Sequence, residues 1–346
     1  MGINTAEMFA FASKKTRQQI LKVVAASLGA LFLVLLLLPD TIMAMTVYNG
    51  VRRDKAQDIA IPSTGSLQNP AWSPDGKALL FTSYQEGYGT GLADLRVLNL
   101  GTRSVRKLVS NKFSNVNLPG SSWNARTRRI VFATALEPHD EIFSISENGD
   151  PKTLKQITRR KEFTAYEPSY SPDGRQIVFE SHPSGVAGRG VIILHTGRKD
   201  KPYITISDPE EDSRQPNWSP TGTHIVYQVR GKKRWDLWTY ELKTDRHYQL
   251  TNWEGDETDA SFSPDGKWVV FSGYFRSLKN PNLFIIPTQG GDPIRLTYHD
   301  GYDGAPSWSP DGKHIAFEST PNAPEASSGA SIMKIEVPQN LLKTDG

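Results

Sequence analysis

The sequence predicts an all-β fold, a six-bladed β-propeller of four-stranded antiparallel blades, preceded by an N-terminal hydrophobic helix. Three observations predict it. An aromatic-Ser-Pro-Asp-Gly motif recurs along the chain, the aromatics of successive copies lie 44 to 51 residues apart, and a β-branched run follows each copy. Periods of that length are those of propeller blades and exceed most helical repeats.

The motif reads Trp72-Ser73-Pro74-Asp75-Gly76, then Tyr170-Ser171-Pro172-Asp173-Gly174 and Trp218-Ser219-Pro220-Thr221-Gly222. Further copies are Phe262-Ser263-Pro264-Asp265-Gly266 and Trp308-Ser309-Pro310-Asp311-Gly312, and a degenerate one is Trp123-Asn124-Ala125-Arg126. Proline pre-sets one backbone angle of a turn, Asp bonds its own backbone, and Gly tolerates positive φ. Each aromatic therefore sits on a short first strand that ends in a tight turn. Second strands are expected at 79–82, 130–133, 177–180, 225–228, 269–272 and 315–318. Third strands follow at 95–100, 141–145, 191–195, 236–242, 282–287 and 331–337, and fourth strands at 106–109, 155–158, 203–206, 248–251 and 294–297.

That leaves the sixth blade one strand short. Residues 58–61 have the missing pattern and lie 11 residues before Trp72, close to the spacing of fourth strands from the next aromatic. A ring closed by this N-terminal strand, paired beside 331–337, has no free sheet edge at its seam.

Composition agrees with a folded β-protein: 37% hydrophobic and 22% charged residues, with 23 Pro and 28 Gly for turns. No Cys is present, which excludes disulfides, thiolate metal sites and a lipid-attachment cysteine. Of the net charge of +3, residues 1–44 carry +2 through Lys14, Lys15, Arg17 and Lys22 against Glu7 and Asp40. The remainder is almost neutral, so a nucleic-acid surface is not expected. Residues 23–38 are uncharged and mostly apolar, with basic residues before them, the pattern of an export signal. Their length lies between a signal-peptide core and a full span, so residues 1–44 read as a signal peptide cleaved after Ala44 or a retained signal anchor. Residues 45–55 read as a linker, 56–337 as the propeller and 338–346 as a tail.

The repeat Pro-x-Trp-Ser-Pro-Asp-Gly-Lys followed by a β-branched strand resembles the TolB-type, WD40-like propeller repeat over about residues 56–337. The resemblance implies a periplasmic protein of the Tol–Pal envelope system, in which an α/β domain precedes the propeller. Only a dozen residues separate Ala44 from the first blade, so that domain is not expected here. Similar propellers in tricorn-like peptidases and oligogalacturonate lyases mean that the resemblance speaks for fold more than for function.

The motif aspartates each belong to a different blade's turn and read as scaffold, and the motif aromatics read as packing between blades. If the first strand runs from face A to face B, the motif turns lie on face B and the long, variable connections on face A, where binding residues usually go. This topology puts Gln68 and Asn69, Asn117, Tyr166 and Glu167, Arg214 and Gln215, Glu257 and Asp259, and Tyr302 and Asp303 around the central mouth. Such a polar, net acidic rim suits a cation, a basic peptide end or sugar hydroxyls. An outer loop, Gly231-Lys232-Lys233-Arg234-Trp235, forms a basic-aromatic tip that can dock an anionic partner, with residues 208–212 as an acidic neighbour.

No nucleophile elbow, zinc-protease motif or phosphate loop is present. A metal would need convergent ligands, for which His182 and His299, with Gln215 or Asp259, are the weak candidates. A divalent cation at the mouth is the one cofactor left open. The residues favour an exported, monomeric envelope module that binds protein or glycan through face A. The alternatives are a metal-assisted polysaccharide lyase and a membrane-anchored accessory propeller of an envelope complex.

Overall fold

The computed structural model describes residues 56–338 apart from 111–115, 118–121, 136–138, 161, 184–187, 275–277, 299 and 325–328. The apolar run 23–38, the expected N-terminal helix and the tail beyond residue 338 lie outside the described residues. Among those described, no helix is long and apolar enough to cross a membrane.

Six antiparallel sheets succeed one another along the chain, each of four strands. The first blade is Ser66–Trp72, Ala78–Tyr84, Ala93–Asn99 and Val105–Ser110; the fourth is Asp212–Trp218, His224–Arg230, Trp235–Glu241 and Arg246–Gln249. In the second blade the first strand is broken into Val116–Asn117 and Trp123–Asn124, both paired with Arg129–Ala135. The sixth blade takes its outer strand from the start of the propeller: Gln57 pairs with Lys334 and Asp58 with Met333, and Ile59 N–H donates to Ile332 O at 2.9 Å. The ring closes where the spacing placed the closure.

The second strands show why closure is required. Leu79, Leu80 and Phe81 are consecutive and all fully buried, so both faces of the sheet are covered. Leu80 packs towards the second blade with Ile130 and Phe132, whereas Leu79 and Phe81 pack with Ala316 and Ile332 of the sixth. Ile59 lies in that second cluster, so the closing strand seals a hydrophobic seam as well as an edge.

The motif turn is held by its own side chains. Ser73 Oγ donates to Asp75 Oδ1 at 2.6 Å and accepts from Ala78 N–H, while Asp75 Oδ1 also accepts from Lys77 N–H. These bonds, the serine first, hold the Asp75 carboxyl below the usual carboxylate range. Equivalent bonds recur at Asp173, Asp265 and Asp311. Gly76, at φ +70°, holds a backbone conformation that strains any side chain, and a Cβ there would sit tightly, 3.3 Å from Pro310 of the preceding blade. The same proline-on-glycine stacking joins Pro172 to Gly222, Pro220 to Gly266 and Pro264 to Gly312. Between the first two blades it is missing, because the degenerate turn has no glycine. Pro74 there borders an open cleft of about 720 Å³ that Trp123 and Arg106 also line, and Arg106 spans the blades through the carbonyls of Glu147 and Asn148. On its far side the degenerate turn is tied to the third blade by Asn124, which donates to Ser171 O at 2.9 Å.

Ile59→Ala is expected to lower stability by about 2–5 kcal/mol through the cavity left in the seam. The exposed neighbour Asp58→Ala should stay within about 0.5 kcal/mol of wild type. Urea unfolding of the two variants checks this; an Ile59→Ala cost equal to that of Asp58→Ala would show that the closing strand is dispensable.

Candidate functional site

The first strands are not short. They run for six to eight residues in five blades, and each carries a bulge. Their register shifts between Gln68 and Ala71, Tyr166 and Ser169, Arg214 and Asn217, Thr258 and Ser261, and Gly304 and Ser307. At each shift one non-glycine residue adopts positive φ: Asn69 (51°), Glu167 (48°), Gln215 (51°), Asp259 (56°) and Ala305 (45°). Such backbone costs about 1–3 kcal/mol per residue and persists only where its surroundings enforce it. These five residues line one constriction on the axis, with about 30 Å³ of free space, room for little more than a water molecule. On the face-B side the channel widens to about 280 Å³, lined by the motif aromatics and prolines.

Several candidates from the sequence meet here, though on strands rather than in connections. Gln215 links three blades: its Nε2 donates to Asp259 Oδ1 at 2.9 Å and lies 3.3 Å from Glu167 Oε1, and its Oε1 accepts from Asp259 N–H. Two further carboxyls, which sequence reasoning treated as strand ends, complete the site. Glu180 accepts from Gln215 N–H at 2.9 Å and Glu318 from Asn69 N–H at 2.9 Å, so each second strand fixes the bulge of the following blade. A glutamate closing an apolar run in which Thr82, Gln228 and Ser272 hold the equivalent positions was the available signal.

Glu180 and Glu318 are 5% and 2% exposed, and burial pushes both up to about 7. Enclosure first, and then repulsion from neighbouring carboxylates, raises Glu167 well above its ordinary value, and enclosure raises Asp259.

At the mouth, Tyr302 OH donates to Glu318 Oε1 at 3.2 Å. Its ring folds back over Gly304, where any Cβ would clash with the phenol. Tyr88, from the hairpin loop of the first blade, donates to the same Glu318 oxygen and meets Tyr302 edge-on, ring centroids 5.9 Å apart. Tyr88 was not among the candidates; nothing in a Gly-Tyr-Gly loop tip announces where it lands.

Other candidates lie elsewhere. Glu257 and Asp303 are buried, at 0% and 1% exposed, and do not line the constriction. Burial pushes Glu257 up to about 8. Tyr166 turns outward, stacks on His182 at 5.4 Å and bonds Asp140. Arg214 pairs with Asp212 at 3.0 Å and lies over Trp235. Asn117 is in the broken strand of the second blade.

In the outer tip, Lys232 and Lys233 are exposed, Arg234 bonds Asp236 and Asn252, and the Trp235 ring receives the guanidiniums of both Arg214 and Arg230. The acidic stretch 208–212 answers Arg189 and Arg214 rather than the tip. His182 is engaged by Thr164 as well as Tyr166, and His299 lies outside the described residues. Among those described, no three His, Asp or Glu side chains are grouped to hold a metal ion.

Residues 214–343 match the family profile of the Tricorn protease N-terminal β-propeller domain. The Tol-Pal system protein TolB of Francisella tularensis subsp. mediasiatica (strain FSC147) is 28% identical over 190 residues, 54% of this chain and 41% of that protein. The chain thus spans less than half the length of the curated relatives it matches. Among solved structures, a putative TolB from Agrobacterium tumefaciens superposes with TM-score 0.58 at 18% identity, over 80% of this chain and 92% of the other. An oligogalacturonate lyase in complex with manganese gives 0.51 at 16%, over 81% and 80%.

The raised carboxyls fix the sign of a pH effect. A carboxyl with an unfolded value of 4.5 and a folded value of about 7 binds protons more tightly when folded. Its contribution to stability is therefore greatest below pH 4.5 and is lost as pH rises to about 7. The melting temperature is expected to fall between pH 5 and pH 8, and to fall less in Glu180→Gln/Glu318→Gln. Parallel melting curves for the two proteins across that range would contradict the raised values.

Proposed function

Because the chain is a TolB-type six-bladed β-propeller, we propose that it is an exported binding module of the cell envelope. Its partner is a protein that inserts a cationic side chain into the mouth on face A. The observation that carries this reading is an imbalance of charge. Glu167 and Asp259 line the constriction and Glu180 and Glu318 hold the backbone of its bulges, yet among the described residues no lysine or arginine bonds any of the four; Arg214 acts on Glu180 and Glu167 only at a distance. Carboxyls held near neutrality by burial ionise when a cation arrives, so the missing charge is one a ligand can supply.

A protein fits better than a neutral glycan, since buried carboxyls gain from a cationic side chain what uncharged hydroxyls do not supply. A rigid ring also loses little ordering entropy on binding. The relatives named for the Tol-Pal system support an envelope setting. The basic flank and apolar run within residues 14–38 support export, the propeller being either free after cleavage or held at the membrane by that run. The lyase alternative rests on likeness of fold: His182 is taken up by Thr164 and Tyr166, while Gln215 and Asp259 bond each other.

Affinity purification from an envelope extract tests the reading. A protein retained by wild type and by Lys232→Ala/Lys233→Ala/Arg234→Ala should be lost with Glu180→Gln/Glu318→Gln. Its binding should strengthen from pH 6 to pH 8 as the carboxyls ionise. Retention unchanged by the glutamine pair would move the site away from the mouth.

A further inference from the structure

The loop between the second and third strands of the first blade is a narrow hairpin. Gln85 N–H donates to Leu92 O at 3.0 Å, and Gly87 and Thr90 bridge across it, which leaves Tyr88 and Gly89 at the tip. Gly89 and Gly91 both take positive φ, and Gln85, Glu86, Gly89, Gly91 and Leu92 are exposed. Only the tyrosine reaches inward. It crosses from the first blade to the sixth, where its hydroxyl bonds Glu318 and lies 3.3 Å from Tyr302 OH. A donor group at the tip of an exposed turn, seated on a channel carboxyl, has the geometry in which a partner's side chain would enter the same mouth.

We propose that Tyr88 is a built-in competitor: it occupies the place on Glu318 that the partner's cationic side chain takes, and it must swing out for the partner to bind. This regulation rests on the reading of the mouth given above. A phenol supplies one hydrogen bond and no charge, whereas a guanidinium supplies a charge and paired donors to the same carboxylate. The exchange therefore favours the incoming group once it is present, and a three-glycine loop gives the displaced tyrosine somewhere to go. While the plug is seated, apparent affinity is reduced by the fraction of molecules that are open.

The test uses the full chain and a blocked Gly-Arg-Gly tripeptide, with Gly-Gly-Gly as control. Calorimetry should show Tyr88→Ala binding the arginine peptide about tenfold more tightly than wild type, as expected if about one molecule in ten is open. Tyr88→Phe, which keeps the ring and loses the hydroxyl, should fall between them. With 3-fluorotyrosine at position 88, the ¹⁹F signal of the otherwise unaltered chain should move to its solvent-exposed position as the peptide saturates. Equal affinity in all three proteins, or weaker binding by Tyr88→Ala, overturns the competitor and leaves the mouth reading standing. A ¹⁹F signal that stays put under a bound peptide does the same. Absence of arginine-dependent binding in every protein overturns both.

Discussion

A sheet that is apolar on both faces cannot end against water. Leu79, Leu80 and Phe81 follow one another without a polar interruption, and every second strand repeats the pattern in its own residues. A single blade therefore has no stable solvent-facing form; it must be clamped between two others, and the array must return to its beginning. The two-residue strand Gln57–Asp58 and the buried side chain of Ile59 meet that requirement. The central channel follows from closure, because it is what the inner edges of six such sheets enclose.

Closure alone would give a polar, water-filled axle. The bulges make it a narrow acidic constriction. Each one spends backbone strain to turn a single residue inward, and in two blades the N–H so exposed is held by a glutamate of the preceding blade. These carboxyls thus have a structural bond on one oxygen and, in Glu318, tyrosine donors on the other. They tie the blades together and give the channel its electrostatic character at once, so structure and binding draw on the same atoms.

Much of the fold was legible in the sequence because it is written in repeats. The turn motif gives the blade count, the β-branched runs give the second and third strands, and the spacing before Trp72 gives the closing strand. The site was legible in part. Asn69, Glu167, Gln215 and Asp259 do reach the axis. Glu257, Asp303 and Tyr166 do not: the bulge residue is the one that lines the axis, and a bulge has no residue type of its own; asparagine, glutamate, glutamine, aspartate and alanine all occupy it. Glu180 and Glu318 looked like the ends of core strands. Tyr88 was out of reach for a different reason: a hairpin tip goes where the neighbouring blade receives it, and that contact joins residues 230 positions apart.

The interruption in the stacked turns of face B has a mechanical consequence. Four joints around the rim set a proline ring against a glycine, and dispersion acts across that contact. The joint between the first and second blades is wet: an exposed arginine grips two carbonyl oxygens across an open cleft. Solvent and dissolved ions can compete for those exposed bonds. The ring thus has four apolar joints and two polar ones flanking the second blade, and of those two the exposed one at Arg106 is the one that solvent and salt reach.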